Sequence, residues 1–312
     1  MLELLKRRGK REPGWLAISL QPGRMHYAHG VIDGAQNAIR RCGTQAFTDD
    51  KDLERRTKEL GFDRYQRVTV LPSSDYQLLL VDAPNVPAAE LRNATRWRLK
   101  DMLDYAVDQA TIDVLDIPTD PSNASRGHSL YAVAARNEVI RTCMDRFSRA
   151  RIPLTVIDIE ETAQRNIAAL LEPADRGVAL LHVGKSQVLL TVNFRGELYL
   201  ARRIDVGLEE LEKLAQGGSD DAKNRILLEV QRSFDHLERQ FPFVGVGKVL
   251  IAPTPADTGL QSYLAENMDM VVEEVRLGEV LSLAPDVELE RQAAWQLFHL
   301  IGAALRNETK TS

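Results

Sequence analysis

Two cysteines, Cys42 and Cys143, are all that 312 residues contain, and neither stands in a spacing that a metal cage or a dithiol redox centre requires. A disulfide framework is excluded with them. A chain of this length has no need of one, because it can hold two domains with hydrophobic cores of their own. Both thiols sit among apolar or small neighbours and are expected to be buried and reduced. Long hydrophobic runs are also missing. The longest, such as 78–81 and 178–181, are strand-sized and far below the roughly 20 residues that cross a bilayer. The basic start reaches Pro13 and Gly14 without an apolar core, so no export leader is expected. Positive charge is not in excess: 40 Lys and Arg against 45 Asp and Glu leave a formal charge of -5, which gives no bulk attraction to nucleic acid.

What is present is a globular composition, with 44% hydrophobic and 27% charged residues, too apolar for a disordered chain. The first 14 residues are set apart as a basic flexible N-terminus. Leu2, Leu4 and Leu5 precede Lys6, Arg7, Arg8, Lys10 and Arg11. Each cation at an anionic membrane surface contributes about 1 kcal/mol, so peripheral membrane contact is one reading. A frayed, solubilising terminus is the other.

The informative pattern occurs twice. Residues 15–20, 24–31 and 38–43 read as three strands separated by Gln21-Pro22-Gly23 and by Asp33-Gly34, a strong hairpin signal. Residues 178–183, 187–192 and 197–204 repeat that meander across Gly184-Lys185-Ser186 and Arg195-Gly196. A helix and a further strand follow each: 51–60 and 67–71 in the first half, 208–215, 222–239 and 248–251 in the second. A distinct block lies inside the first half, with strands at 75–81, 111–117 and 129–135, a helix over 88–106, and an exposed loop at 118–128. The helices 138–150 and 159–171 return to the main body. After an ill-defined stretch, 259–283, Ala294, Leu297, Phe298, Ile301 and Leu305 predict a closing helix, in which Gly302, Ala303 and Ala304 allow close contact.

This duplicated α/β arrangement, with mixed sheets flanked by helices, predicts an actin-like (ribonuclease H-like) fold with an inserted subdomain in the first half. The boundaries read as a first subdomain at 15–74, an insertion at 75–136, to which the family resemblance given below assigns partner binding, a return to the first lobe at 137–175, a second lobe with its closing helix at 176–306, and a flexible tail at 307–312.

Such a fold normally clamps a nucleotide between its halves, and the sequence departs from that chemistry in three places. Ser19 stands where a carboxylate would direct magnesium, and Pro22 removes a backbone donor, leaving Gly23 as the flexible residue of the first turn. In the second turn Gly184, Lys185 and Ser186 can hold an anion, yet His182 takes the acidic position, and Gly-Lys-Ser alone is a weak phosphate signal. Pro253 and Pro255 stiffen the turn where glycines would approach a nucleoside. Gly23, Gly184, Lys185 and Ser186 are therefore the candidate cofactor residues for ATP with magnesium, the alternative to no cofactor at all.

No catalytic residue and no metal ligand is assigned. Of six histidines the only near pair, His26 and His29, points its rings to opposite faces of a strand. His236 has Asp235 and Glu238 nearby but no sequence-near serine or cysteine nucleophile. Asp101, Asp104 and Asp108 read as a solvated helix face. Arg96, Arg98 and Lys100 around Trp97 form a cation and aromatic cluster, which serves either to recognise a peptide or to cover domain packing.

Particular runs carry a family resemblance: Tyr76-Gln77-Leu78-Leu79-Leu80-Val81-Asp82-Ala83-Pro84-Asn85-Val86-Pro87, Arg96-Trp97-Arg98-Leu99-Lys100-Asp101 and Gly196-Glu197-Leu198-Tyr199-Leu200-Ala201-Arg202-Arg203-Ile204. With Tyr131-Ala132-Val133-Ala134-Ala135 and Arg165-Asn166-Ile167-Ala168-Ala169-Leu170, they resemble the MSHA pilus biogenesis family MshI over most of 15–306. That family is similar to the type IV pilus assembly protein PilM and to the cytoplasmic part of GspL. The resemblance implies a cytoplasmic, actin-like adaptor recruited to the inner membrane. PilM clamps a short cytoplasmic tail of its membrane partner between its first subdomain and the insertion, so the resemblance points to an inner-membrane pilus assembly protein as partner and to Tyr76, Arg96, Trp97, Arg98 and Lys100 as docking residues. PilM also binds ATP, and the replacements at Ser19, His182, Pro253 and Pro255 favour a degenerate, nonenzymatic scaffold over a nucleotide-gated switch.

Overall fold

A computed structural model describes residues 12–33, 36–120, 128–215 and 220–307. The basic segment, Gly34 of the first hairpin, the centre of the 118–128 loop and the tail beyond 307 lie outside the described residues.

The first meander is β1 (Trp15–Gln21), β2 (Arg24–Asp33) and β3 (Gln36–Ala46), paired antiparallel in sequence order. β1 reads as a nearly unbroken apolar run because both of its faces are covered. Trp15 and Ala17 point into a core shared with the closing helix, while Leu16, Ile18 and Leu20 point into a second core with Leu53 and Phe147. α1 (Asp50–Glu59) starts where the Asp49 carboxylate accepts the N–H groups of Lys51 and Asp52, both at 2.9 Å. It ends before Gly61, whose φ of 68° the missing Cβ allows. β4 (Gln66–Leu71) then lies parallel to β1.

The inserted block contains β5 (Gln77–Asp82), α2 (Ala88–Arg98), β6 (Ala110–Asp116) and β7 (Ser129–Arg136), with sheet order β5-β7-β6. α3 (Asn137–Arg149), β8 (Val156–Ile159) and α4 (Glu160–Ala168) follow. The second lobe repeats the meander as β9 (Gly177–Val183), β10 (Val188–Phe194) and β11 (Glu197–Ile204), then α5 (Leu208–Ala215), α6 (Asp221–Gln240), β12 (Val246–Ile251), α7 (Leu260–Asn267) and β13 (Val271–Glu274). α8 (Leu277–Val280), β14 (Ser282–Leu283) and α9 (Arg291–Ala304) complete the chain.

The two large sheets have one topology. β3-β2-β1-β4-β8 corresponds strand for strand to β11-β10-β9-β12-β13, an antiparallel meander extended by two parallel strands. This is the duplicated actin-like architecture that the repeated pattern predicts. α4 and α9 lie between the sheets: their apolar faces share one core with Trp15 and Ala17 of one lobe and Val178 and Leu180 of the other. β14 carries the chain back to pair with β3 of the first sheet.

Two stretches differ from the sequence reading. The helix over 88–106 stops at Arg98. The Arg96 guanidinium reaches the carbonyls of Val107 and Ala110 at 2.7 and 3.3 Å and draws the following segment back across the helix. Asp101, Asp104 and Asp108 therefore share no helical face, and Asp104 instead meets Arg136 at 3.2 Å. The ill-defined 259–283 stretch holds α7, β13, α8 and β14, each too short to display a period.

Candidate functional site

The lobes face each other across a cleft with two adjoining cavities of about 570 and 280 Å³ that share Gln21, His26, Glu160, Gln296 and His299. Each hairpin brings the end of its first strand to this cleft, as the duplicated topology requires. Ser19 lines the larger cavity; Arg24, His182, Gly184 and Lys185 line the smaller. Gly23 and Ser186 line neither. Gly23, at φ 70°, closes the β1–β2 turn, and its carbonyl accepts the N–H of Phe47 at 3.0 Å. The Gly184 N–H is spent inside its own hairpin on the carbonyl of Gln187 at 2.9 Å.

His182, near the end of β9, stands where the sequence reading looks for a carboxylate, and α9 brings His299 against it. The rings of His182 and His299 meet with centroids 4.3 Å apart, and His182 stacks on Phe298 at 5.3 Å. Burial holds both imidazoles at a pKa of about 3, reinforced at His182 by repulsion from His299 and at His299 by Arg203, so both are neutral at pH 7. His299 Nε2 lies 3.3 Å from Gln164 Oε1, whereas buried His182 Nε2 has no partner. Trp295 Nε1 donates to the carbonyl of Val183 at 2.7 Å and ties α9 to the base of the cleft. Beyond β12, Pro253 and Thr254 are buried and Arg291 Nε donates to the Thr254 carbonyl at 3.3 Å, so this turn closes on α9.

Magnesium-ATP does not fit this donor set. Of the carboxylates on the lining, Glu160, common to both cavities, is held by Arg203, and Asp75 and Glu138 line only the larger; neutral imidazoles stand at His182 and His299, one of the two hairpin glycines has no free N–H, and the nucleoside turn is stiffened and engaged by Arg291. Among the described residues no group of three or more His, Cys, Asp and Glu can hold a metal ion.

A buried polar junction joins the three parts of the molecule beside the cleft. The Tyr76 hydroxyl, at the entry to the insertion, donates to Glu161 of α4 and accepts from Arg203 Nη2 at 2.8 Å and from the Glu160 N–H at 3.3 Å. Arg203, from β11, also donates to Glu161 Oε1 at 2.6 Å and to Glu160 Oε2 at 2.9 Å. Burial pushes the Glu161 carboxyl up and the Arg203 guanidinium pulls it back down. This junction had no local signature, because Tyr76, the Glu160-Glu161 pair and Arg203 lie far apart in sequence.

The five residues singled out for docking separate in the structure. Tyr76 is only 8% exposed and belongs to the junction. Arg96 is engaged with the carbonyls of Val107 and Ala110. Trp97, 75% exposed, lies on the outside of α2 with Arg98 and Lys100 exposed beside it. Trp97 is the most exposed of the large apolar side chains among the described residues, so it covers no packing between subdomains.

No protein-family model matches the sequence, and no curated protein does. Among solved structures the chain is similar to the PilM-PilN type IV pilus biogenesis complex, at 17% identity and a TM-score of 0.70 over 95% of this chain and 98% of that one. It also aligns with the cytoplasmic domain of EpsL, an inner-membrane component of the type II secretion system of Vibrio cholerae, at 14% identity and TM-score 0.46 over 92% and 94% of the two chains. A Bacteroides thetaiotaomicron protein with an actin-like ATPase fold aligns at 9% identity and TM-score 0.48 over 90% and 96%. The first of these likenesses shows a shared fold along nearly the whole chain.

Proposed function

We propose that the protein is a noncatalytic, actin-like adaptor of MSHA or type IV pilus biogenesis, acting in the cytoplasm at the periphery of the inner membrane. Its task is to hold the short cytoplasmic tail of an inner-membrane assembly protein. The observation that carries this reading is Trp97, fully presented on an inserted subdomain whose other large apolar groups are mostly packed away, with Arg98 and Lys100 at its sides. An aromatic anchor flanked by cations is the composition of a binding hot spot. The likeness in fold to a structure named as a pilus biogenesis complex supports the cellular setting. A cleft in which neutral imidazoles stand beside a Glu160 already held by Arg203 supports recognition in place of hydrolysis.

Affinity purification from membranes tests the reading. The wild-type chain should carry an inner-membrane pilus assembly protein with it, and Trp97→Ala should reduce that recovery at least tenfold while leaving the thermal transition in place. Equal recovery with Trp97→Ala defeats the docking assignment, and no membrane pilus protein at all defeats the adaptor.

A further inference from the structure

A second groove runs between the inserted sheet and the second lobe, on a different side of the insertion from the nucleotide-type cleft. It comprises two adjoining cavities of about 420 and 450 Å³ that share Leu80 and Gln240. Leu78 and Leu80 of β5 point to one face and, with Tyr131 and Phe241, make an apolar floor. Along one wall α6 presents Arg232, His236 and Arg239, all exposed, and the insertion supplies Arg98 and Met102.

The charges of this groove are unbalanced although the whole chain is acidic. Arg202 and Arg232 share Glu229, at 3.5 and 2.6 Å, and Asp82 is the acidic residue of the lining. Arg98 and Arg239 have no hydrogen-bond or ion-pair partner among the described residues. The backbone is equally open. β5 pairs with β7 alone, so one row of its peptide groups borders the groove without a strand partner. The opposing β11 edge is stoppered at its centre by the Tyr131 hydroxyl, which accepts the Ala201 N–H and donates to the Tyr199 carbonyl.

We propose that this groove takes an extended segment of another protein in which carboxylates alternate with apolar side chains. Apolar residues of such a segment face Leu78 and Leu80, its carboxylates meet Arg98 and Arg239, and its backbone runs along β5. A concave floor between two subdomains suits a peptide, whereas a lipid headgroup surface would need these cations on a convex face. The proposal rests on the adaptor reading for the existence of a protein partner and adds the chemistry of the segment that is held.

Selection from a display library of short random peptides on the full chain tests it, with an Arg98→Glu/Arg239→Glu variant as competitor and thermal denaturation to establish that the variant is folded. Selected peptides should be enriched in alternating Asp or Glu and apolar residues, and the double reversal should weaken them at least tenfold. Selection without acidic enrichment, or equal binding by the double variant, overturns the proposal. So does charge-dependent binding to phosphatidylglycerol vesicles, or a dimer in sedimentation, that the double reversal abolishes while no acidic peptide is selected. If the membrane pilus protein co-purifies with wild type and double variant alike and no acidic peptide is selected, the groove is wrong and the adaptor stands. Acidic peptides selected without any co-purifying membrane protein leave the groove standing and remove the adaptor.

Discussion

The Tyr131 hydroxyl accepts the backbone N–H of Ala201 at 3.1 Å and occupies the outer edge of β11 as a strand would. The same oxygen donates to the carbonyl of Tyr199 at 3.4 Å. One phenol from the inserted subdomain thereby satisfies both members of an edge pair in the second lobe, and burial pushes its pKa up to about 12, so it stays a donor throughout the physiological range.

Tyr131→Phe keeps the ring and removes both hydrogen bonds, leaving peptide groups of an otherwise packed edge unpaired. The expected loss is about 1–3 kcal/mol in urea denaturation. Amide exchange at Ala201 should accelerate more than exchange at neighbouring Leu200, whose strand pairing with Val192 is unaffected. An unchanged denaturation midpoint would mean that the hydroxyl does not join the two subdomains.

Close backbone contact fixes the closing helix in the same way. A Cβ built on Gly302 would stand 2.0 Å from the Ala163 carbonyl oxygen, and one on Gly30 would stand 2.5 Å from that of Ala304. Backbone cannot yield as a side chain tip can, so Gly302→Ala forces α4 and α9 apart at the centre of the inter-lobe core. A loss of about 3 kcal/mol or more is expected, against about 0.5 kcal/mol or less for Gly245→Ala, which meets nothing within 4 Å. Parallel denaturant titrations of the two variants provide the comparison.

The repeated meanders were legible because strand alternation, turn residues and their order survive in each half, and the closing helix was legible from its apolar spacing and its small residues. The end of α2 was not, since an apparently continuous helical pattern through Leu99, Met102 and Leu103 is overridden by Arg96 binding the carbonyls of Val107 and Ala110. Nor was the junction of Tyr76, Glu160, Glu161 and Arg203, where charges that look solvated individually meet only after three subdomains assemble. The burial of Tyr76 was not legible either, because it depends on Glu161 and Arg203 closing on its hydroxyl. The replacements at Ser19 and His182 are readable because they are a matter of residue type at strand ends, whereas the pairing of His182 with His299 depends on α9 crossing back between the lobes.

The composition of that cleft predicts its behaviour towards nucleotide. Titration calorimetry with ATP and magnesium should show no saturable heat up to millimolar concentration, equivalent to binding weaker than about -4 kcal/mol. Substituting Lys185→Ala should leave this baseline unchanged. Saturation at micromolar nucleotide, lost in Lys185→Ala, would establish the switch that the residues argue against.

The imidazole pair predicts how stability depends on acidity. His182 and His299 have folded-state pKa values near 3, depressed by burial from an ordinary value of 6.5. Between those values the unfolded chain takes up two protons that the folded chain does not, so stability must fall as pH falls. It is intact above about pH 6.5, and each histidine then costs about 1.4 kcal/mol per pH unit of acidification. Urea midpoints measured at pH 7.0 and 5.5 should therefore separate, with Glu161, Glu172 and Glu197, whose carboxyls burial pushes up, acting in the opposite sense. His299→Gln removes one of the two titrating rings and should lower the slope of stability against pH by close to half, even if it also lowers stability at pH 7. A slope unchanged by that substitution would place the proton uptake elsewhere, with the buried His26 and His29, whose values burial also lowers, as the next residues to replace.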